Sequence, residues 1–242
     1  MNPQDKILVA LDVESRDAAL SLADSLRGSV GGFKIGSRLF TAEGPSMVRE
    51  MTERGDRVFL DLKYHDIPNT VATAVEAAAQ LGVWMLNVHA SGGTAMMRAA
   101  REAAHNAAAR RGIAPPIVIA VTVLTSMNQA GLKETGIVID VMDQVLRLAE
   151  LTKEAGLDGV VASPRETAAI RKRCGADFAI VTPGIRAADA PRDDQSRTMA
   201  PAEAIAAGAS YLVVGRPIIA AADPREAALG LFEGTKAQRH QA

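Results

Sequence analysis

The sequence predicts a single-domain α/β protein, a (β/α)8 TIM barrel that spans residues 1–242. Three observations lead to this prediction. Short apolar runs rich in β-branched residues recur along the chain, segments with helical spacing of apolar residues separate them, and a glycine precedes most of the runs. With 48% hydrophobic and 23% charged residues, the chain can bury one sizeable core.

The strands are predicted where apolar residues run almost without interruption. In chain order, these runs are residues 7–11, 33–35, 58–62, 85–88, 117–123, 159–162, 178–181 and 211–214. Strands of this kind are buried on both faces, which in an alternating chain indicates a parallel sheet covered by helices. Repeating the unit eight times favours closure into a barrel. An open doubly wound sheet is the alternative, but residues 12–16, after the first run, lack the glycine fingerprint of dinucleotide binding.

Helices are predicted between these runs, and their ends are marked by capping residues. The apolar positions 19, 22, 23 and 26 follow the possible N-cap Ser15, and positions 141, 145, 148 and 149 follow Asp140. Glycines at the predicted helix ends suit a left-handed turn: Gly28, Gly55, Gly82, Gly112, Gly156, Gly175 and Gly208. Two long polar connections, residues 126–136 and 186–197, are predicted to act as lids.

Charge and composition argue against several classes of partner. The 27 basic and 28 acidic residues give a formal net charge of -1, so we expect no nucleic-acid partner and no anionic membrane surface. No apolar run is long enough to cross a membrane, and the polar residues 1–6 lead directly into the first strand, so a cytoplasmic location is expected. The single cysteine, Cys174, cannot form an intrachain disulfide and is predicted to be a small buried hydrophobe.

Charged residues are predicted to cluster at the carboxyl ends of the first three strands. Asp61 and Lys63 are two apart on one strand and therefore share a face, while Lys34 and Asp12 end the neighbouring strands. These residues would form a row of alternating positive and negative charges, which Asp66 extends. In such a row a lysine ammonium lies beside carboxylates and no metal is needed. A structural ion-pair network at the barrel mouth is the alternative. The carboxyl ends of barrel strands are where active sites form, which favours a functional role.

A phosphate site is predicted after the seventh and eighth strands. Gly184 and Arg186 follow one strand, and Gly215 and Arg216 follow the other. Glycine allows the backbone to approach an anion closely, and arginine supplies paired donors. No spacing of His, Cys, Asp or Glu resembles a zinc site, so no zinc site is predicted.

These motifs resemble those of the orotidine 5'-phosphate decarboxylase family. The central motif is Asp61-x-Lys63-x-x-Asp66-Ile67-Pro68-x-Thr70, and the similarity extends from the first predicted strand to the last. The further matches are Ala10-Leu11-Asp12, Phe33-Lys34-Ile35-Gly36, Asn87-Val88-His89-Ala90, Leu124-Thr125-Ser126, Thr182-Pro183-Gly184-Ile185-Arg186, Asp194-Gln195 and Val213-Val214-Gly215-Arg216.

The resemblance implies a homodimer that converts orotidine 5'-phosphate to uridine 5'-phosphate and CO2 in de novo pyrimidine biosynthesis, without a cofactor. Lys63 would donate the proton, with Asp61 and Asp66 orienting it, and Asp66 and Thr70 would serve the partner subunit's site. The remaining residues would bind substrate: Asp12 and Lys34 the ribose, Thr125 the pyrimidine, Gln195 the base and phosphate from the lid, and Arg186, Gly215 and Arg216 the phosphate.

Two other functions stay open on the sequence. A sugar-phosphate aldolase or decarboxylase on the same barrel would pair an Asp-x-Lys-x-x-Asp motif with Mg²⁺, although Ile67-Pro68 and Gln195 argue against it. A non-catalytic phosphate-binding barrel would keep Arg186 and Arg216 but would not need Lys63. Fold alone cannot decide between these functions.

Overall fold

The computed structural model describes residues 2–185 and 199–232 and confirms the predicted barrel. Eight parallel strands follow one another around a closed sheet in chain order, and the first pairs with the last. The strands are β1 Ile7–Ala10, β2 Gly32–Gly36, β3 Val58–Tyr64, β4 Met85–His89, β5 Ile117–Val121, β6 Gly159–Val161, β7 Ala179–Thr182 and β8 Tyr211–Val214.

Helices follow the strands and cover the outside of the barrel. They are α1 Arg16–Leu26, α2 Ser37–Glu53, α3 Pro68–Gln80, α4 Gly93–Arg111, α5 Gln129–Glu134, α6 Val141–Glu154, α7 Thr167–Cys174, α8 Pro201–Ala206, α9 Arg216–Ile219 and α10 Pro224–Gly230. Short 3-10 turns occupy Pro3–Lys6 and Ala90–Gly92. No helix in the part of the chain that the structure describes is long and apolar enough to cross a membrane.

The helix ends use the predicted residues. The Ser15 side chain accepts a hydrogen bond from the Ala18 N–H and caps α1, whereas Asp140 occupies the N-cap of α6 without a side-chain bond. All seven predicted helix-ending glycines have positive φ, between 64° and 107°. Within the connection 126–136, α5 is capped by the Asn128 side chain. The connection 186–197 lies entirely outside the described residues.

Side chains alternate between two apolar layers, as the two-residue period of a strand requires. In β1, Leu8 and Ala10 point into the barrel, while Ile7 and Val9 pack under the helices. The inner layer is completed by Phe59, Met85, Ile119, Val181 and Val213. This layer closes the barrel below the carboxyl ends of the strands, so a polar site can form only above it. Cys174 is buried with the outer layer, as predicted.

The contact between β6 and β7 gives a stability prediction. A methyl group at Gly159 would overlap the carbonyl oxygen of Ala179, a backbone atom that cannot turn aside. We expect Gly159→Ala to lower the free energy of unfolding by about 2 kcal/mol or more, because overpacking of this kind costs about 1–3 kcal/mol. Denaturant unfolding measures the change. Gly230→Ala, with open space around its Cβ position, serves as the control and should be neutral or stabilising.

Candidate active site

A cavity of about 280 Å³ opens at the carboxyl ends of the strands. Its floor is the inner apolar layer, represented by Phe59 and Val213, and its rim is polar. Most of the predicted site residues that lie in the described part of the chain line it: Asp12, Lys34, Asp61, Lys63, Thr125, Gly215 and Arg216. Residues from β1, β2, β3 and β8 or directly after them therefore converge on one space, as the carboxyl face of a barrel allows.

Four of these residues form the predicted row of alternating charges. The Lys63 ammonium lies 2.7 Å from Asp61 Oδ1, and Lys34 Nζ lies 3.4 Å from Asp61 Oδ2 and 3.5 Å from Asp12 Oδ1. The side chains of Lys34 and Asp61 are 10% and 13% exposed, so these two charges are largely removed from water. Each therefore requires an oppositely charged partner nearby. Lys63 is 34% exposed and presents its ammonium to the cavity.

The end of β3 has an irregular backbone that the sequence did not predict. Leu60 pairs with Leu86 and Tyr64 with Val88, so four steps along β3 match two along β4. Inside this bulge, Lys63 has φ of 54°, the only positive φ outside glycine in the described residues. A lysine in this region is strained by about 1 kcal/mol or more. β3 thus continues to Tyr64, beyond the predicted end at residue 62.

Asn87 is the residue of β4 that faces the bulge, and the prediction gave it no role. It is completely buried, its Oδ1 accepts a hydrogen bond of 2.8 Å from the Lys63 N–H, and its Nδ2 donates one of 2.7 Å to Asp61 Oδ1. Its position two residues after Met85 placed it on the inward face, and a buried amide in an apolar strand needs partners. These two facts could have indicated from the sequence that Asn87 contacts polar groups of the site.

Asp66 and Thr70 stand apart from the row within a single chain. Both are exposed, at the beginning of α3, and neither lines the cavity. Asp66 Oδ1 accepts a hydrogen bond from the Ile67 N–H at 2.6 Å. Among the described residues, the ion pair of Lys63 joins it to Asp61 and not to Asp66. One chain alone therefore does not extend the row to Asp66.

The described residues that were predicted to bind phosphate line the same cavity at the ends of β7 and β8, and β8 pairs with β1. They are Gly184, Gly215 and Arg216, and Gly184 has φ of 79°, a conformation that suits glycine. Arg186 and Gln195 lie outside the described residues.

Two ionisable groups near the row have shifted pKa values. Burial, His65 and Lys63 lower the pKa of His89, whose ring lies 5.4 Å from that of His65. Burial raises the pKa of Tyr64 to about 12. Residues 2–185 and 199–232 contain no group of three or more His, Cys, Asp or Glu side chains arranged to hold a metal ion.

Comparison with known proteins agrees with this geometry. Residues 5–231 match the family model described as "Orotidine 5'-phosphate decarboxylase / HUMPS family". Orotidine 5'-phosphate decarboxylase from Moorella thermoacetica is 57% identical over 229 residues, covering 94% of this chain and 91% of the relative. The enzyme of the same name from Paramagnetospirillum magneticum is 52% identical over 222 residues, covering 92% of this chain and 94% of the relative.

A solved structure agrees as well. The crystal structure of orotidine 5'-phosphate decarboxylase from Lactobacillus acidophilus superimposes with a TM-score of 0.83 at 36% identity, covering 94% of this chain and 97% of that one. Both the length of the matches and their level of identity are far above what fold similarity alone requires. The chain belongs to the orotidine 5'-phosphate decarboxylase / HUMPS family.

Proposed function

We propose that this chain decarboxylates orotidine 5'-phosphate to uridine 5'-phosphate and CO2, a step of de novo pyrimidine biosynthesis. The observation that carries the proposal is the Lys63 ammonium, held 2.7 Å from Asp61 and facing a cavity that Gly215 and Arg216 also line. Family membership and the relatives named for this activity support it.

The chemistry uses Lys63 twice. When the bond between the pyrimidine ring and the carboxylate breaks, CO2 leaves and the electron pair stays on the ring carbon. An ammonium fixed beside that carbon stabilises the growing negative charge, and it then gives its proton to the carbon. The neutral amine regains a proton from solvent, which restores the enzyme. Asp61 keeps the ammonium in place because it accepts from it directly.

The other cavity residues are proposed to bind the substrate. Asp12 and Lys34 would hold the ribose hydroxyls, and Thr125 would hydrogen-bond the pyrimidine. Gly215 and Arg216 would contact the phosphate from β8. Arg186 and Gln195 would reach the phosphate and base from the connection 186–197, which we propose closes over the bound nucleotide.

A homodimer with shared sites is part of the proposal. Asp66 and Thr70 are exposed at the rim of the barrel, and the intervening Ile67 is 66% exposed, a large apolar side chain that a second subunit would cover. Asp66 and Thr70 would then enter the partner subunit's site. We further propose that residues 1–242 act as one catalytic domain in the cytoplasm, binding neither nucleic acid nor membrane.

A direct assay tests the proposed activity. The purified protein is mixed with orotidine 5'-phosphate, and ultraviolet absorbance follows the loss of substrate with and without a chelator. Turnover unaffected by the chelator is the expected result. Loss of turnover that Mg²⁺ restores would indicate the metal-dependent chemistry of an aldolase-like relative, and binding without turnover would indicate a phosphate-binding barrel.

The phosphate site gives a prediction of its own. We expect Arg216→Ala and Arg186→Ala to lower kcat/KM for orotidine 5'-phosphate by about 10- to 100-fold each, because each removes charge-assisted hydrogen bonds to a remote group whose binding energy stabilises the transition state. With orotidine, which lacks the phosphate, wild type and variants should be equally poor. Arg225→Ala, an exposed arginine of α10, is the control. Equal losses on both substrates would contradict the phosphate role.

A further inference from the structure

We propose that Asn87 is a positioning residue for the proposed decarboxylation, acting on the proton donor Lys63 and on Asp61 at the same time. The inference rests on the proposed function for its reaction, and on the geometry of β3 and β4 for its residue. Asn87 lies behind the row of charges and does not line the cavity, so it would act through its two neighbours and not on the substrate.

One of the two groups that Asn87 contacts is the backbone of Lys63. Between Leu60 and Tyr64 the ladder with β4 is interrupted, so the N–H groups of the bulge lose their regular partners on β4. Asn87 lies on β4 in this gap, and its Oδ1 takes the Lys63 N–H at 2.8 Å. This bond replaces the missing ladder contact at a residue whose φ of 54° is unfavourable for lysine.

The other group that Asn87 contacts is the Asp61 carboxylate. Oδ1 accepts both from Lys63 Nζ at 2.7 Å and from Asn87 Nδ2 at 2.7 Å, while Oδ2 faces Lys34 Nζ at 3.4 Å. A carboxylate that accepts two hydrogen bonds at one oxygen and pairs with a lysine at the other is restrained in its orientation. Asn87 thereby fixes the Asp61 carboxylate, and this carboxylate in turn fixes the Lys63 ammonium.

An amide suits this position because its two partners differ in hydrogen-bonding character. A backbone N–H can only donate and a carboxylate can only accept, so a single side chain that serves both must offer an acceptor and a donor about one amide apart. Ionised aspartate has acceptors but no donor, and leucine has neither. The serine side chain is too short to reach both groups. The burial of Asn87 makes each lost bond costly, because water cannot replace it.

The test compares two variants with a matched control. Asn87→Leu keeps the number and branching of the side-chain heavy atoms and removes both bonds, and Asn87→Ser, which adds no apolar bulk, is the second variant for the case that the leucine variant does not fold. We expect each to lower kcat by about 100-fold, since displacement of a reacting group by about 1 Å costs that much, with the dissociation constant of uridine 5'-phosphate changed less than threefold. Thr152→Val removes a hydroxyl that is equally buried, bonded to Leu148 O and remote from the cavity, and should leave kcat unchanged.

The outcomes separate this inference from the proposed function. Wild-type protein that does not decarboxylate orotidine 5'-phosphate would overturn the proposed function, whatever Asn87 does. Active wild type with a folded Asn87 variant of normal kcat would overturn the positioning role alone. A variant that loses product affinity and thermal stability together with kcat would show a purely structural role and equally overturn the inference, as would a comparable loss of kcat in Thr152→Val.

Discussion

Lys63→Ala is expected to lower kcat by about 10⁴-fold or more while leaving the barrel folded. The variant removes both the proposed proton donor and the nearest positive charge, and these effects contribute about 10²–10⁴-fold and 10²–10³-fold in other enzymes. The fold should survive because Asp61 keeps Lys34 at 3.4 Å and Asn87 at 2.7 Å as partners, so no buried carboxylate is left alone.

The measurement is kcat for orotidine 5'-phosphate together with the dissociation constant of uridine 5'-phosphate and the thermal midpoint. Lys153→Ala, at an exposed position of α6, is the control for removal of a lysine as such. Near-normal turnover in Lys63→Ala would remove this residue from the mechanism.

A mixture of two inactive variants is expected to recover activity. If Asp66 enters the partner subunit's site, Lys63→Ala and Asp66→Ala homodimers are inactive for different reasons. In a mixed dimer, one site carries both defects, while the other combines an intact Lys63 with an intact Asp66. Random exchange makes about half of the dimers mixed, each with one good site of two, so activity should approach roughly a quarter of wild type under two-fold symmetry.

Subunit exchange must be shown independently, for example with two differently tagged variants recovered as one complex. Each variant incubated alone under the same conditions is the control and should stay inactive. If exchange takes place and activity does not return, Asp66 serves its own subunit's site or lies outside the site.

The barrel could be predicted because its signals are local and repeated. The apolar runs, the capping Ser15 and the helix-ending glycines each follow from the backbone needs of one element, and the structure uses them as predicted. The contact of Lys34 with Asp61 was predictable for a related reason. Parallel strands in register bring their ends together, so polar residues that end neighbouring strands must meet.

The bulge in β3 could not be predicted, because it depends on the pairing between two strands. A two-residue period already places Asp61 and Lys63 on one face, and nothing in the run of residues 58–64 marks where the ladder with β4 slips. The two contacts of Asn87, on which its proposed role rests, were missed for the same reason. Its two partners lie 24 and 26 residues earlier in the chain and are adjacent to it only once that slip is known.

The proposed contribution of Asp66 and Thr70 to a partner subunit's site belongs to a third category. Their surroundings in one chain are solvent, and a site completed by a second subunit leaves no trace in the spacing of residues along one sequence. Only the family resemblance suggested it, and the mixing experiment is what can decide it.

The left-handed backbone of Lys63 sets stability against turnover at one position. Glycine adopts this conformation at no steric cost, so the residue type that the local backbone prefers is one that cannot supply an ammonium. A directed-evolution screen that selects only for heat resistance is therefore expected to favour replacement of Lys63, and the selected variants would lack the proposed proton donor. Any programme to make this barrel more thermostable should hold position 63 fixed and seek its gains in the helices.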